Sequence, residues 1–171
     1  MNKKGFTLVE TLVYIGLIAI IIASVAVFLT KLGQVRIKTL VISEVEMNAR
    51  LVFDRLVEAA RHAEAINIGA STFDSDPGVI SFDMVDAGED PTIFSLTADN
   101  GNFQVNIAGA GNTPITTDSV SISNLVFTNL TSSEDLGIIQ VSYTVETLNT
   151  TDDPYFDYAE TFQTTLRIPL D

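Results

Sequence analysis

A single carboxylate, Glu10, stands at the head of an apolar run, and residues 11–30 after it carry no charge at all. Twenty residues of α-helix rise about 30 Å, the thickness of the hydrocarbon core of a bilayer. An ionisable group costs of order 2.5–3.5 kcal/mol at a membrane centre and less towards its edge. A segment built only to sit in lipid has no use for such a group, so Glu10 implies a partner cation. Before it come a basic pair, Lys3 and Lys4, and a break at Gly5. Elsewhere the reactive inventory is thin. His62 is the only histidine, it follows Arg61, and neither a base partner nor a nucleophile is marked near it. There is no glycine-rich phosphate loop, no serine elbow and no His-Glu metal spacing. With no cysteine, the chain has no disulfide, no thiol nucleophile, no Cys-based zinc site and no lipobox. An enzyme is not expected, nor is a cofactor or a metal ion.

The run Lys3-Lys4-Gly5-Phe6-Thr7-Leu8-Val9-Glu10 resembles the processing site of type IV prepilins and type II secretion pseudopilins. The resemblance is strong over residues 3–30 and weaker to about residue 66. It implies that a prepilin peptidase cuts between Gly5 and Phe6 on the cytoplasmic side and methylates the new amino terminus at Phe6. It also implies that Glu10 sets the register of assembly. The physics agrees: the amine of Phe6 needs an anion in apolar surroundings, and Glu10 of a neighbouring subunit supplies one. Breaking a buried pair of this kind costs roughly 3–5 kcal/mol. Three other readings fit parts of the segment. One is a secretory signal cut at Ser24-Val25-Ala26, which Glu10 inside the core opposes. Another is a plain signal anchor. The third is the core helix of a soluble protein, which the length of the uncharged run opposes.

Residues 1–61 carry a net charge of +3 and residues 62–171 a net charge of −16, the latter with Arg167 as the only Lys or Arg. Such an acidic distal part argues against direct binding of DNA or RNA, which needs basic patches. Charge counting does not orient the span, because Lys3 and Lys4 precede it while Lys31, Arg36 and Lys38 follow it. The resemblance places the amino terminus in the cytoplasm and the remainder outside. Many pilins carry a distal disulfide, and this chain departs from them. Pilins also often have a proline in the apolar helix. Here the first is Pro77, which leaves Gly16 or Gly33 as the candidate points of bending.

Beyond residue 30 the pattern stays helical and becomes amphipathic. Val41, Val45, Ala49, Val52, Leu56, Ala60 and Ala63 recur at three- and four-residue steps, and Glu46 stands four residues before Arg50 in the favourable order. An unbroken helix over residues 6–66 would be about 90 Å long, too long for one compact domain. It is expected to lie half in lipid and half against a head. The period then changes to two. Ile80, Phe82 and Met84 share a face, followed by residues 93–96, by Phe103, Val105 and Ile107, and by residues 120–127. Ile139, Val141, Tyr143 and Val145 alternate, and so do Phe162, Thr164, Leu166 and Ile168. Asp99-Asn100-Gly101-Asn102 reads as a hairpin turn.

One helix followed by five or six strands predicts an α+β fold, an antiparallel sheet packed on the helix. The expected divisions are a leader at 1–5, a membrane or filament-core helix at 6–30, an amphipathic helix at 31–66 and a β-rich head at 67–171. The acidic turns at Asp74 and Asp76, Asp99, and Asp152 and Asp153 are read as solvated carboxylates, since none matches an EF-hand loop. Asn129 and Asn149 match the glycosylation pattern and are read as turn residues. Tyr155, Phe156 and Tyr158 form a candidate contact patch.

Together these readings predict a single-pass, minor (low-copy) subunit of a type IV pilus or type II secretion pseudopilus in the cytoplasmic membrane. Looser patterns are similar to the minor pseudopilin J and minor pilin W group. Its partners would be the prepilin peptidase, other pilin or pseudopilin subunits, a membrane assembly platform and the lipid bilayer. The alternative is a permanently anchored outer domain that binds a ligand and never polymerises.

Overall fold

The computed structural model describes residues 7–99, 101–131, 137–149 and 153–168. One helix, α1 (Leu8–His62), is followed by eight strands among the described residues: β1 (Ala63–Ile66), β2 (Ile80–Met84), β3 (Thr92–Leu96), β4 (Phe103–Ile107), β5 (Asn112–Pro114), β6 (Val120–Asn129), β7 (Ile138–Thr147) and β8 (Ala159–Arg167). The chain divides into two units, Met1–Thr39 and Leu40–Asp171.

The first unit is the amino-terminal part of α1. Its best 18-residue window has a mean hydropathy of 2.9, and none of that window is buried. Its serine and threonine hydroxyls from Thr11 onward bond to the preceding turn. Ser24 Oγ donates to the Ile20 carbonyl at 2.8 Å and Thr30 Oγ1 to that of Val27 at 2.7 Å. Such bonds to the preceding turn leave an apolar surface with its polar groups already paired. Gly16 and Gly33 lie inside the helix without interrupting it.

The second unit is the α+β head. Its strands form two antiparallel sheets, β1-β2-β3-β4-β5 and β6-β7-β8. The apolar stripe of α1 is buried as its spacing predicts, with Val45, Val52 and Leu56 fully inaccessible. These residues share one core with Ile80, Phe82, Phe103, Ile122, Phe127 and Tyr143 from both sheets. All six alternating runs are strands, and Gly101 turns the β3–β4 hairpin with φ +67°.

Several expectations need correction. There are eight described strands in two sheets, where five or six in one sheet were expected. The helix ends at His62, and Ala63–Ile66, expected to be helical, pairs with β2 instead. The Ala-Glu-Ala-Ile sequence carries the apolar spacing of either period, and pairing with an apolar strand decides it. β5 (Asn-Thr-Pro) was not foreseen because all three of its residues are exposed. In β6 the inward face changes parity: Val120 and Ile122 are buried, then Leu125 and Phe127. A bulge between Ser123 and Val126, with Asn124 at φ +52°, inserts the extra residue. Ile107, grouped with Phe103, is 41% exposed at the end of β4. Glu46 and Arg50 form no ion pair; among the described residues the pair on α1 is Arg55–Glu58, at 3.0 Å.

Candidate functional site

Glu10 lies in the first turn of α1. Its backbone N–H donates to Thr7 Oγ1 at 3.3 Å, and the Thr7 carbonyl accepts from the N–H of Thr11 at 3.1 Å. Thr7 therefore caps the helix, and Thr7-x-x-Glu10 has capping-box spacing. The sequence reading missed this, although a threonine three residues before a glutamate at the start of an apolar run is the signal for it. A carboxylate near a helix amino terminus is favoured by about 0.3–1 kcal/mol. Glu10 thus has a local reason for its position besides a cation on another chain. Its surroundings on the helix are exposed and apolar: Leu8 is 82% exposed, Val9 71%, Leu12 66% and Val13 58%. The other two predicted site residues, Gly5 and Phe6, lie outside the described residues, so no geometry joins them to Glu10.

Residues 1–26 match the family described as the prokaryotic N-terminal methylation motif. The chain has a prepilin-type amino terminus. The motif covers the predicted processing site, Glu10 and most of the exposed apolar run, and it ends before the head begins. No curated protein and no solved structure matches the chain. The motif belongs to structural subunits, and with it come processing by a prepilin peptidase, contact with other pilin subunits and a membrane anchor.

Among the described residues, the head of this prepilin-type chain is grooved in at least two places. The larger, about 490 Å³, runs between α1 and the β1–β5 sheet, with Leu51, Arg55, His62, Phe94 and Ile107 among its walls. His62 is exposed, its carbonyl accepts from the Val85 N–H at 3.3 Å, and among the described residues its ring has no hydrogen-bond partner. Glu58 is turned to Arg55. Among the described residues no general base is hydrogen-bonded to a nucleophile there. The second groove, about 390 Å³, lies between Leu40, Val41 and Glu44 of α1 and the loops that carry Ser119, Leu148 and Phe156.

The acidic turns serve the fold. Asp74, at φ +51°, accepts from Thr128 Oγ1 at 2.8 Å while its N–H donates to the Phe127 carbonyl at 2.9 Å. Asp153 Oδ1 accepts from the N–H of Tyr155 at 3.0 Å. Among the described residues no three acidic or histidine side chains converge as a metal site would need, and Asp152 lies outside them. Asn129 Oδ1 accepts from the Thr131 N–H at 2.9 Å, a turn role. Of the aromatic trio, Phe156 is 37% exposed on the second groove, whereas Tyr158 packs against the core.

The helix is bound to the head by buried polar contacts. Asn48, fully inaccessible, accepts from the Thr117 N–H at 3.0 Å and donates to the Glu44 carbonyl at 2.9 Å. Tyr143 reaches α1 from β7, and burial, with the charge of Asp54 second, pushes its phenol up to about 12.

Proposed function

We propose that this chain is a subunit of a type IV pilus or type II secretion pseudopilus, which acts by assembling into a filament after its leader is removed. The carrying observation is the methylation motif over residues 1–26, laid on a helix whose amino-terminal apolar run is exposed. On this reading residues 1–5 are the leader. Phe6 is the methylated first residue, residues 6–30 are the membrane or filament-core helix, and the rest of α1 carries the head outside the cell. The amino terminus faces the cytoplasm, and a membrane assembly platform supplies the work. Glu10 receives the Phe6 amine of the adjacent subunit and so sets axial register. The reading covers abundant and low-copy subunits alike; the contact proposed below needs two adjacent copies.

Mass spectrometry of the chain taken from its own cell tests the reading. A mature amino terminus at N-methylated Phe6, recovered in sheared filaments, is the expected result. An intact Met1, or a start at Val27, overturns it in favour of a tethered outer domain or a cleaved signal.

A further inference from the structure

We propose that the groove at residues 40–44 of α1 is the receptor for residues 35–38 of a second copy of this chain, an inference that rests on the filament reading above. The floor is apolar and open: Leu40 is 70% exposed, Leu148 44% and Phe156 37%. Its rim is acidic. Glu44 lines it, and Asp157, next to Phe156, accepts from Asn149 Nδ2 at 2.7 Å. The proposed occupant has the opposite character. Val35 is 63% exposed. Arg36 and Lys38 beside it are exposed, and neither carries an ion pair among the described residues. The charge division of the chain, +3 over residues 1–61 and −16 beyond, favours pairing the cations of one copy with the head of another.

On the filament reading the amine of Phe6 in one copy meets Glu10 in the next, which offsets the starts of their helices by four residues, roughly 6 Å.

The absence of cysteine makes a clean test, run on full-length chains in the membrane of the producing cell. Two differently tagged copies are coexpressed, one with Val35→Cys and the other with Leu148→Cys, and mixed disulfides are counted after mild oxidation. Val9→Cys with Val13→Cys reports the four-residue register, and Val35→Cys with Val85→Cys gives the background. The 35–148 pair should cross-link well above background. Adding Arg36→Glu and Lys38→Glu to the first copy should lower it about tenfold, which is about 1.4 kcal/mol. Arg36→Gln with Lys38→Gln should give a smaller loss. A 9–13 cross-link with 35–148 at background overturns the groove and leaves the filament reading standing. Loss of both overturns the two together. A 35–148 cross-link indifferent to charge reversal, with weaker retention on anionic vesicles, assigns the cations to lipid headgroups and overturns the pairing.

Discussion

The phenol of Tyr143 donates a 2.8 Å hydrogen bond to the backbone carbonyl of Ala49, joining the middle of β7 to the buried face of α1 across ninety-four residues of sequence. Tyr143 is only 2% exposed. Tyr143→Phe should therefore cost about 1 kcal/mol, a fall in melting temperature of roughly 2–4 °C for a chain of this size. Thermal melts of the full chain in detergent measure it.

The same phenol predicts a pH dependence. The unfolded chain gives up the proton near 10, while the folded head holds it until about 12. The contribution is complete below pH 10 and declines as pH rises towards 12, by at most about 1.4 kcal/mol per pH unit. Urea midpoints between those values should fall more steeply for the wild type than for Tyr143→Phe. Equal slopes would show that Tyr143 does not carry the effect.

Asn48 is fully buried and serves both Thr117 and the Glu44 carbonyl. Asn48→Ala leaves the Thr117 N–H without its acceptor, and the expected loss is about 2–3 kcal/mol. The urea midpoint should drop with its slope unchanged, because the compactness of either state is not altered.

Gly101 and Gly109 both have positive φ, +67° and +72°, but they differ in space. A Cβ on Gly101 would lie 2.6 Å from Ser121 Oγ and 2.7 Å from the Ile122 carbonyl, whereas one on Gly109 meets nothing within 4 Å. Gly109→Ala should cost about 1 kcal/mol, the backbone term alone. Gly101→Ala should cost about 2–4 kcal/mol, since the Ile122 N–H to Gly101 carbonyl contact at 2.9 Å must also give way. Similar losses at the two sites would count against the close approach.

Glu10 admits a decisive pair of variants. Glutamine keeps the side-chain length and polarity that a capping box uses but removes the charge. If Glu10 acts only as the partner of Thr7, Glu10→Gln should assemble like the wild type. On the filament reading, Glu10→Gln and Glu10→Ala are both processed and both fail to appear in sheared filaments. The assay is the amount of mature chain in the filament fraction against that in the membrane.

Much of this architecture can be read from residue patterns because it rests on period. The Val45, Val52 and Leu56 stripe and the alternation at Ile139, Val141, Tyr143 and Val145 name their own buried faces. Where period is not the cause, the pattern misleads. β5 buries none of its residues and exists because β4 offers it a ladder. The parity change in β6 depends on the unusual backbone of Asn124, one residue in a Ser-Ile-Ser-Asn-Leu stretch that otherwise alternates regularly. Glu10 was conspicuous because it breaks an apolar run, yet its cap at Thr7 is a local contact that charge counting overlooks. The groove was invisible for a different reason. Leu40, Leu148 and Phe156 lie far apart along the chain and meet only after folding.

Because Ser24 and Thr30 spend their hydroxyls on the turn before them, the outer surface of this part of α1 is the same whether its neighbours are acyl chains or other helices. On the filament reading, exchange between those two environments breaks neither of these bonds. The cost of leaving lipid is then set, on the same reading, by shape and by Glu10.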